Sequence, residues 1–113
     1  MVKDTFYLYK SDKPDKKFKM IMGEPYNHKH YFGSSSYRDY VLINDKNSQY
    51  YIADENEREK VKKAYRARHK NDNIKSVHSA GGMSWYILWS AKTLSQGIKN
   101  YEKAFNVKVI YKK

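Results

Sequence analysis

The residues best equipped for chemistry lie between Lys60 and Lys75. That stretch holds seven basic side chains, Lys60, Lys62, Lys63, Arg66, Arg68, Lys70 and Lys75, against one acid, Asp72, a local net charge of +6. Within it, Tyr65-Arg66-Ala67-Arg68-His69-Lys70 sets an aromatic ring among guanidinium groups. Lysine meets a phosphate as a point charge. Arginine grips it through two parallel hydrogen bonds and also stacks on bases, as a tyrosine ring does. The candidate chemistry is therefore polyanion contact, with Lys60, Lys62, Lys63, Arg66, Arg68 and Lys70 on phosphates and Tyr65 stacking. Lys13, Lys16 and Lys17 extend the patch if the fold brings them beside it. The plainer alternative is a solvated helix face with Tyr65 and Arg68 turned inward.

Other constellations are thinner. His28 and His30 alternate as ligands on one strand face do, but a metal site needs a third ligand, which only His69, His78 or a carboxylate could supply. Ordinary strand histidines are the commoner case, and no metal is assigned. Asp39 with His69 or His78 could imitate an acid–base pair, and Ser34-Ser35-Ser36 after Gly33 a nucleophile loop. Neither carries a signature such as G-x-S-x-G. The same Gly-Ser run could offer backbone N–H groups to a phosphate, but it lacks the G-K-[ST] of a P-loop and reads as a turn. Trp85 and Trp89, four residues apart, could be stacking platforms, but such spacing more often marks a core stripe. The chain has no cysteine, which excludes thiolate nucleophiles, disulfides and cysteine-ligated metals. No catalytic residue, cofactor or small-molecule substrate is implied, and the expectation is a non-enzymatic protein.

The 113 residues suit one domain spanning 1–113. An apolar share of 40% is too high for a disordered chain, and 12 tyrosines point to a core and surface built from half-buried rings. A net charge of +11 favours a polyanionic partner over mere solubility. The charged start MVKDTFYLYK is unlike a signal peptide, and the most apolar stretch, Met83 to Leu88, is too short to span a bilayer. The expectation is an intracellular, non-secreted protein without membrane association.

Several elements must position these residues. Thr5 to Lys10 and Phe18 to Met22 alternate as strands around a polar turn at 11–16. His28 to Phe32 reads as a third strand, and Tyr37 to Ile43 as a strand or irregular segment. Asp54 can cap a helix with Glu57 in the capping-box position. Acids crowd its first turns and bases its last, up to Asn71-Asp72-Asn73. Met83 to Trp89 has a helical face, and Thr93 can cap a helix to Phe105 with Gln96 in the box position. Val107 to Tyr111 reads as a closing strand. The expected class is α+β: a small antiparallel sheet, an N-terminal hairpin plus further strands, with two to three helices on one face.

The order of several short segments is distinctive. These are Ser11-Asp12-Lys13-Pro14-Asp15-Lys16-Lys17, Phe32-Gly33, Tyr37-Arg38-Asp39-Tyr40, Tyr65-Arg66-Ala67-Arg68-His69-Lys70, Ala80-Gly81-Gly82-Met83-Ser84-Trp85 and Leu88-Trp89, followed by the helix to Phe105. In this order the chain resembles, over roughly residues 6 to 107, a family of small uncharacterised proteins of nucleocytoplasmic large DNA viruses. It departs from that pattern in a longer stretch around Asn47 to Ala53, and in Ser90-Ala91-Lys92 where the family has Asn and Pro. The resemblance implies a viral source and no known catalysis. Together with the charge, it leads to two expectations. One is a basic protein, packaged in the virion, that binds nucleic acid, DNA foremost, without sequence specificity. The other is a minor capsid or core protein that cements acidic virion proteins.

Overall fold

The computed structural model describes residues 4–22, 28–71 and 79–112. Its elements run β1 (Thr5–Lys10), β2 (Lys16–Met22), β3 (His28–Ser34), α1 (Tyr40–Asn44), α2 (Glu55–His69), α3 (Ala80–Met83), a π-helical turn (Ser84–Leu88), α4 (Leu94–Phe105) and β4 (Lys108–Lys112). The fold is α+β, as the alternating and helical patterns predict. No helix among the described residues is long and apolar enough to cross a membrane.

The four strands are ordered β3-β2-β1-β4. The first three form the expected antiparallel meander, while β4 joins β1 in parallel. Alternation marks a strand but not its direction. The direction of β4 follows from α4, which returns the chain to the end of the sheet where β1 begins. Asn106, left-handed at φ 54, ends α4, and the Lys108 N–H then donates to the Asp4 carbonyl at 2.8 Å.

Period-two alternation divides the sheet into two faces. Phe6, Leu8, Met20, Met22, Phe32 and Val109 are buried against Met83, Ile87, Leu88, Ile98 and Tyr101, forming the core beneath the helices. Tyr7, Tyr9, Lys19, Ile21, Tyr31 and Ile110 occupy the opposite parity and lie outside that core.

Asp54 caps α2 by accepting from Asn56 N–H at 2.8 Å, and Thr93 caps α4 by accepting from Gln96 N–H at 3.2 Å. The partner carboxylate and amide of the expected capping boxes are engaged elsewhere, Glu57 with Lys60 and Gln96 with Asn100. Tyr37 to Ile43, read as strand or irregular, instead leads into α1. Asp39 caps this helix by accepting from Leu42 N–H at 2.8 Å, and the Asn44 side chain donates to the Tyr40 carbonyl at 2.7 Å. Burial of Tyr40 and Ile43 overrides the β propensity of Val41 and Ile43.

Candidate nucleic-acid interface

Helix α2 does not present its basic residues on one face. Lys60, Lys63 and Lys70 are exposed on its outer side, and Arg68 is exposed at one flank. Lys62 and Arg66 turn inward instead. The Lys62 ammonium lies 4.5 Å from the centre of the Tyr40 ring, and the Arg66 guanidinium 4.8 Å from that of Trp85. Desolvation first, and the like charge of Arg66 second, push the Lys62 pKa down. Tyr65 is buried and stacks on Trp89 at 4.1 Å, so the ring expected to stack a base is part of the core instead. The reason is compositional. Tyr65 is the only buried residue of α2 and Val61 is half-buried, so the aliphatic stems of Lys62 and Arg66 complete its inner side while their cations lie over rings.

Two of the hairpin lysines, Lys13 and Lys17, are engaged away from the outer lysines of α2. Lys17 donates to the Asp39 carboxylate at 2.7 Å and to the Tyr37 carbonyl at 2.6 Å, with its side chain 15% exposed. Lys16 opens β2 opposite Ser34, and Lys13 reaches the far side of the sheet, 4.2 Å over the Tyr31 ring.

That far side carries a pattern that no single strand shows along its own sequence. The registers place Tyr31, Lys19, Tyr9 and Lys112 side by side across all four strands, alternating aromatic and cationic. The next rung is Lys29, Ile21, Tyr7 and Ile110. Ammonium groups lie over the rings: Lys19 at 5.4 Å from Tyr9 and Lys112 at 5.9 Å from Tyr7. The Tyr31 hydroxyl donates to Asp12 at 2.7 Å, which lowers the Asp12 pKa and raises that of Tyr31. Lys19 lies 3.9 Å from the same Asp12 oxygen. Asp12 thus orients Tyr31 and offsets one charge of a face that, among the described residues, also carries Lys13, Lys19, Lys29 and Lys112. The signal was present in Phe6-Tyr7-Leu8-Tyr9, where apolar residues of one parity alternate with tyrosines of the other.

On the helical side, the β3–α1 loop and α2 enclose a cleft of about 470 Å³. Val61, Tyr65, Leu88 and Trp89 form its apolar wall, while Tyr37, Arg38, Arg68 and His69 contribute at its sides. Asp39 and His69 both line it, as an acid–base pair would require, but each Asp39 oxygen is already engaged, one by Leu42 N–H and one by Lys17. His78 lies outside the described residues, as does Lys75. His30 sits on the core-side rung with Met20, and among the described residues no three His, Asp or Glu side chains cluster as metal ligands. Trp85 and Trp89 belong to the expected core stripe. The cleft gathers residues from well-separated parts of the chain, Lys17 and Gly33 from the sheet, Tyr65 and Arg68 from α2, and Ser84 and Trp89 from the segment that follows α3.

Compared with known proteins, the chain matches no family model, no curated sequence and no solved structure.

Proposed function

We propose that this protein is a non-enzymatic nucleic-acid-binding protein that holds single strands on the open face of its sheet without reading sequence. The observation that carries this reading is the rung Tyr31–Lys19–Tyr9–Lys112. Every base has a π-face that a tyrosine can stack, and every phosphate has a charge that a lysine can meet, so alternating the two types suits a strand of any sequence. In the free protein the lysines cover the rings. An exposed cation–π contact contributes about 0.5–1 kcal/mol, whereas stacking a base contributes about 1–3 kcal/mol. Exchanging one for the other while the ammonium moves to a phosphate is therefore favourable. The outer lysines of α2 add charge on the opposite side of the molecule. Packaging within a large DNA virus, the setting suggested by the resemblance, belongs to the same proposal.

The test is fluorescence anisotropy with a labelled random single strand over a salt series. Log affinity should fall linearly with log salt, by about 0.7 for each phosphate contacted. Tyr9→Leu and Tyr31→Leu should each weaken binding by about 5- to 150-fold while melting near the wild-type temperature. Unchanged affinity in a folded Tyr9→Leu/Tyr31→Leu double variant would overturn the reading. The second reading, a cementing protein that meets acidic virion proteins, draws support from Ile21, Ile110 and Tyr7 on the same face. It gains if the protein ignores nucleic acid at low salt.

A further inference from the structure

We infer that the cleft between the β3–α1 loop and α2 is a binding site for one phosphorylated nucleoside unit. The cleft lies on the helical side of the sheet, so this proposal does not depend on the open-face reading.

Size, surface and charge each point the same way. A volume of about 470 Å³ lies within the range of about 300–1,000 Å³ typical of small-molecule pockets. Its wall is apolar and already organised. The Tyr65 ring is held between Trp89, stacked on it at 4.1 Å, and His69, whose ring centre lies 4.3 Å away, with Val61 and Leu88 beside them. A fixed wall of aromatic edges and aliphatic groups suits the apolar body of a base.

The cations are divided by role. Lys17 is neutralised by Asp39 inside the cleft, where the pair fixes the loop carrying Tyr37 and Arg38. Arg38 and Arg68 are exposed, and neither has a carboxylate partner among the described residues. Two exposed guanidinium groups, without a partner acid among the described residues and approaching one apolar cleft from a loop and a helix, suit a ligand with an apolar ring and an anionic end. Arginine's fork matches a phosphate by two parallel hydrogen bonds. Ser34, Ser84 and Tyr37 offer hydroxyls along the lining for a sugar or a base edge. The ring lies against the Tyr65–Trp89 wall, and the phosphate lies at the mouth with Arg38 and Arg68.

The same chemistry is present in a free mononucleotide and in the 5′-phosphorylated end of a strand. The experiment titrates the full-length ¹⁵N-labelled protein with AMP, with adenosine and with inorganic phosphate. The expected result is saturable AMP binding that shifts the amides of Gly33, Ser34 and Ser84. Adenosine and phosphate should each bind about tenfold or more weakly, since each lacks half of the contacts. Arg38→Ala and Arg68→Ala, both at exposed positions, should each weaken AMP by about tenfold, while Tyr9→Leu/Tyr31→Leu leaves it unchanged. No saturable shift up to about 10 mM, phosphate binding as tightly as AMP, or full affinity in the Arg38→Ala/Arg68→Ala double variant would overturn the site. Where AMP binds, a 5′-phosphorylated oligonucleotide that displaces it better than the unphosphorylated one identifies a strand end as the ligand. Equal, weak displacement identifies the free mononucleotide. Loss of single-strand binding on the sheet face leaves these readouts intact, so the two proposals fail separately.

Discussion

Asp39 is 2% exposed and serves two structural roles. One oxygen caps α1 through Leu42 N–H and the other accepts from Lys17. Asp39→Ala removes the cap and strands a mostly buried ammonium, so it should destabilise the protein by about 3 kcal/mol in denaturant melts. Asp39→Asn keeps a capping oxygen and should lose less. Tyr40 gives a pH prediction. Burial first, and its hydrogen bond to Glu59 second, raise the phenol from an ordinary 10.0 to about 12. The unfolded chain releases this proton at lower pH than the folded one. The stabilisation is therefore complete below pH 10 and is lost as pH rises through about 12. Tyr40→Phe cannot ionise, so the fall of its melting temperature over that window should be shallower than in the wild type. At this scale residue types were legible in the sequence but side-chain directions were not. Tyr65 and Lys62 sit in the predicted helix, yet both face inward, because an otherwise polar helix must cover the core with whatever stems it has.

Two glycines determine how the elements meet. A Cβ on Gly97 of α4 would lie 2.1 Å from the Ile87 carbonyl oxygen of the π-helical turn, so α4 seats directly on that backbone. Gly97→Ala should force the helix off its seat and cost about 3 kcal/mol or more, read as a lowered denaturation midpoint. Gly33 ends β3 at φ 77, where a Cβ would also lie 2.8 Å from Leu88 Cδ1. It sets the course of the loop that carries Tyr37 and Arg38 to the cleft. Strands β1 and β2, the capped starts of α2 and α4, and the closing strand were all legible from alternation and capping residues. Helix α1 was not. Its five residues are too few to show a helical period, and Val41 and Ile43 favour a strand until burial overrules them.

Among the described residues, two lysine-bearing surfaces differ in what accompanies the charge. On the far face of the sheet Lys13, Lys19 and Lys112 lie over tyrosine rings, whereas Lys60, Lys63 and Lys70 are exposed on the outer side of α2. Reversing charge on α2 with Lys60→Glu/Lys63→Glu should weaken duplex and single strand alike and flatten the salt slope. Removing the sheet tyrosines should weaken single strands selectively, because duplex bases are already stacked on each other. Parallel titrations of both nucleic acids with both variants check this, and equal losses for the tyrosine variant would count against the single-strand platform.

The fold class, most element boundaries, the absence of thiol chemistry and the strong positive charge follow from local periodicity, capping residues and composition, all readable along the chain. Which basic residues remain available depends instead on how separate elements pack. Lys17, Lys62 and Arg66 are drawn into contacts with Asp39, Tyr40 and Trp85, residues 22 positions apart or fewer but on separate elements. The Tyr31–Lys19–Tyr9–Lys112 rung likewise exists only once strand order and register are known, since residues from positions 9 to 112 meet there. Alternation within each strand assigns a side chain to one of two faces. Which face the helices cover, and which carries the half-buried tyrosines and lysines, is settled by where α3, the π-helical turn and α4 find their apolar partners.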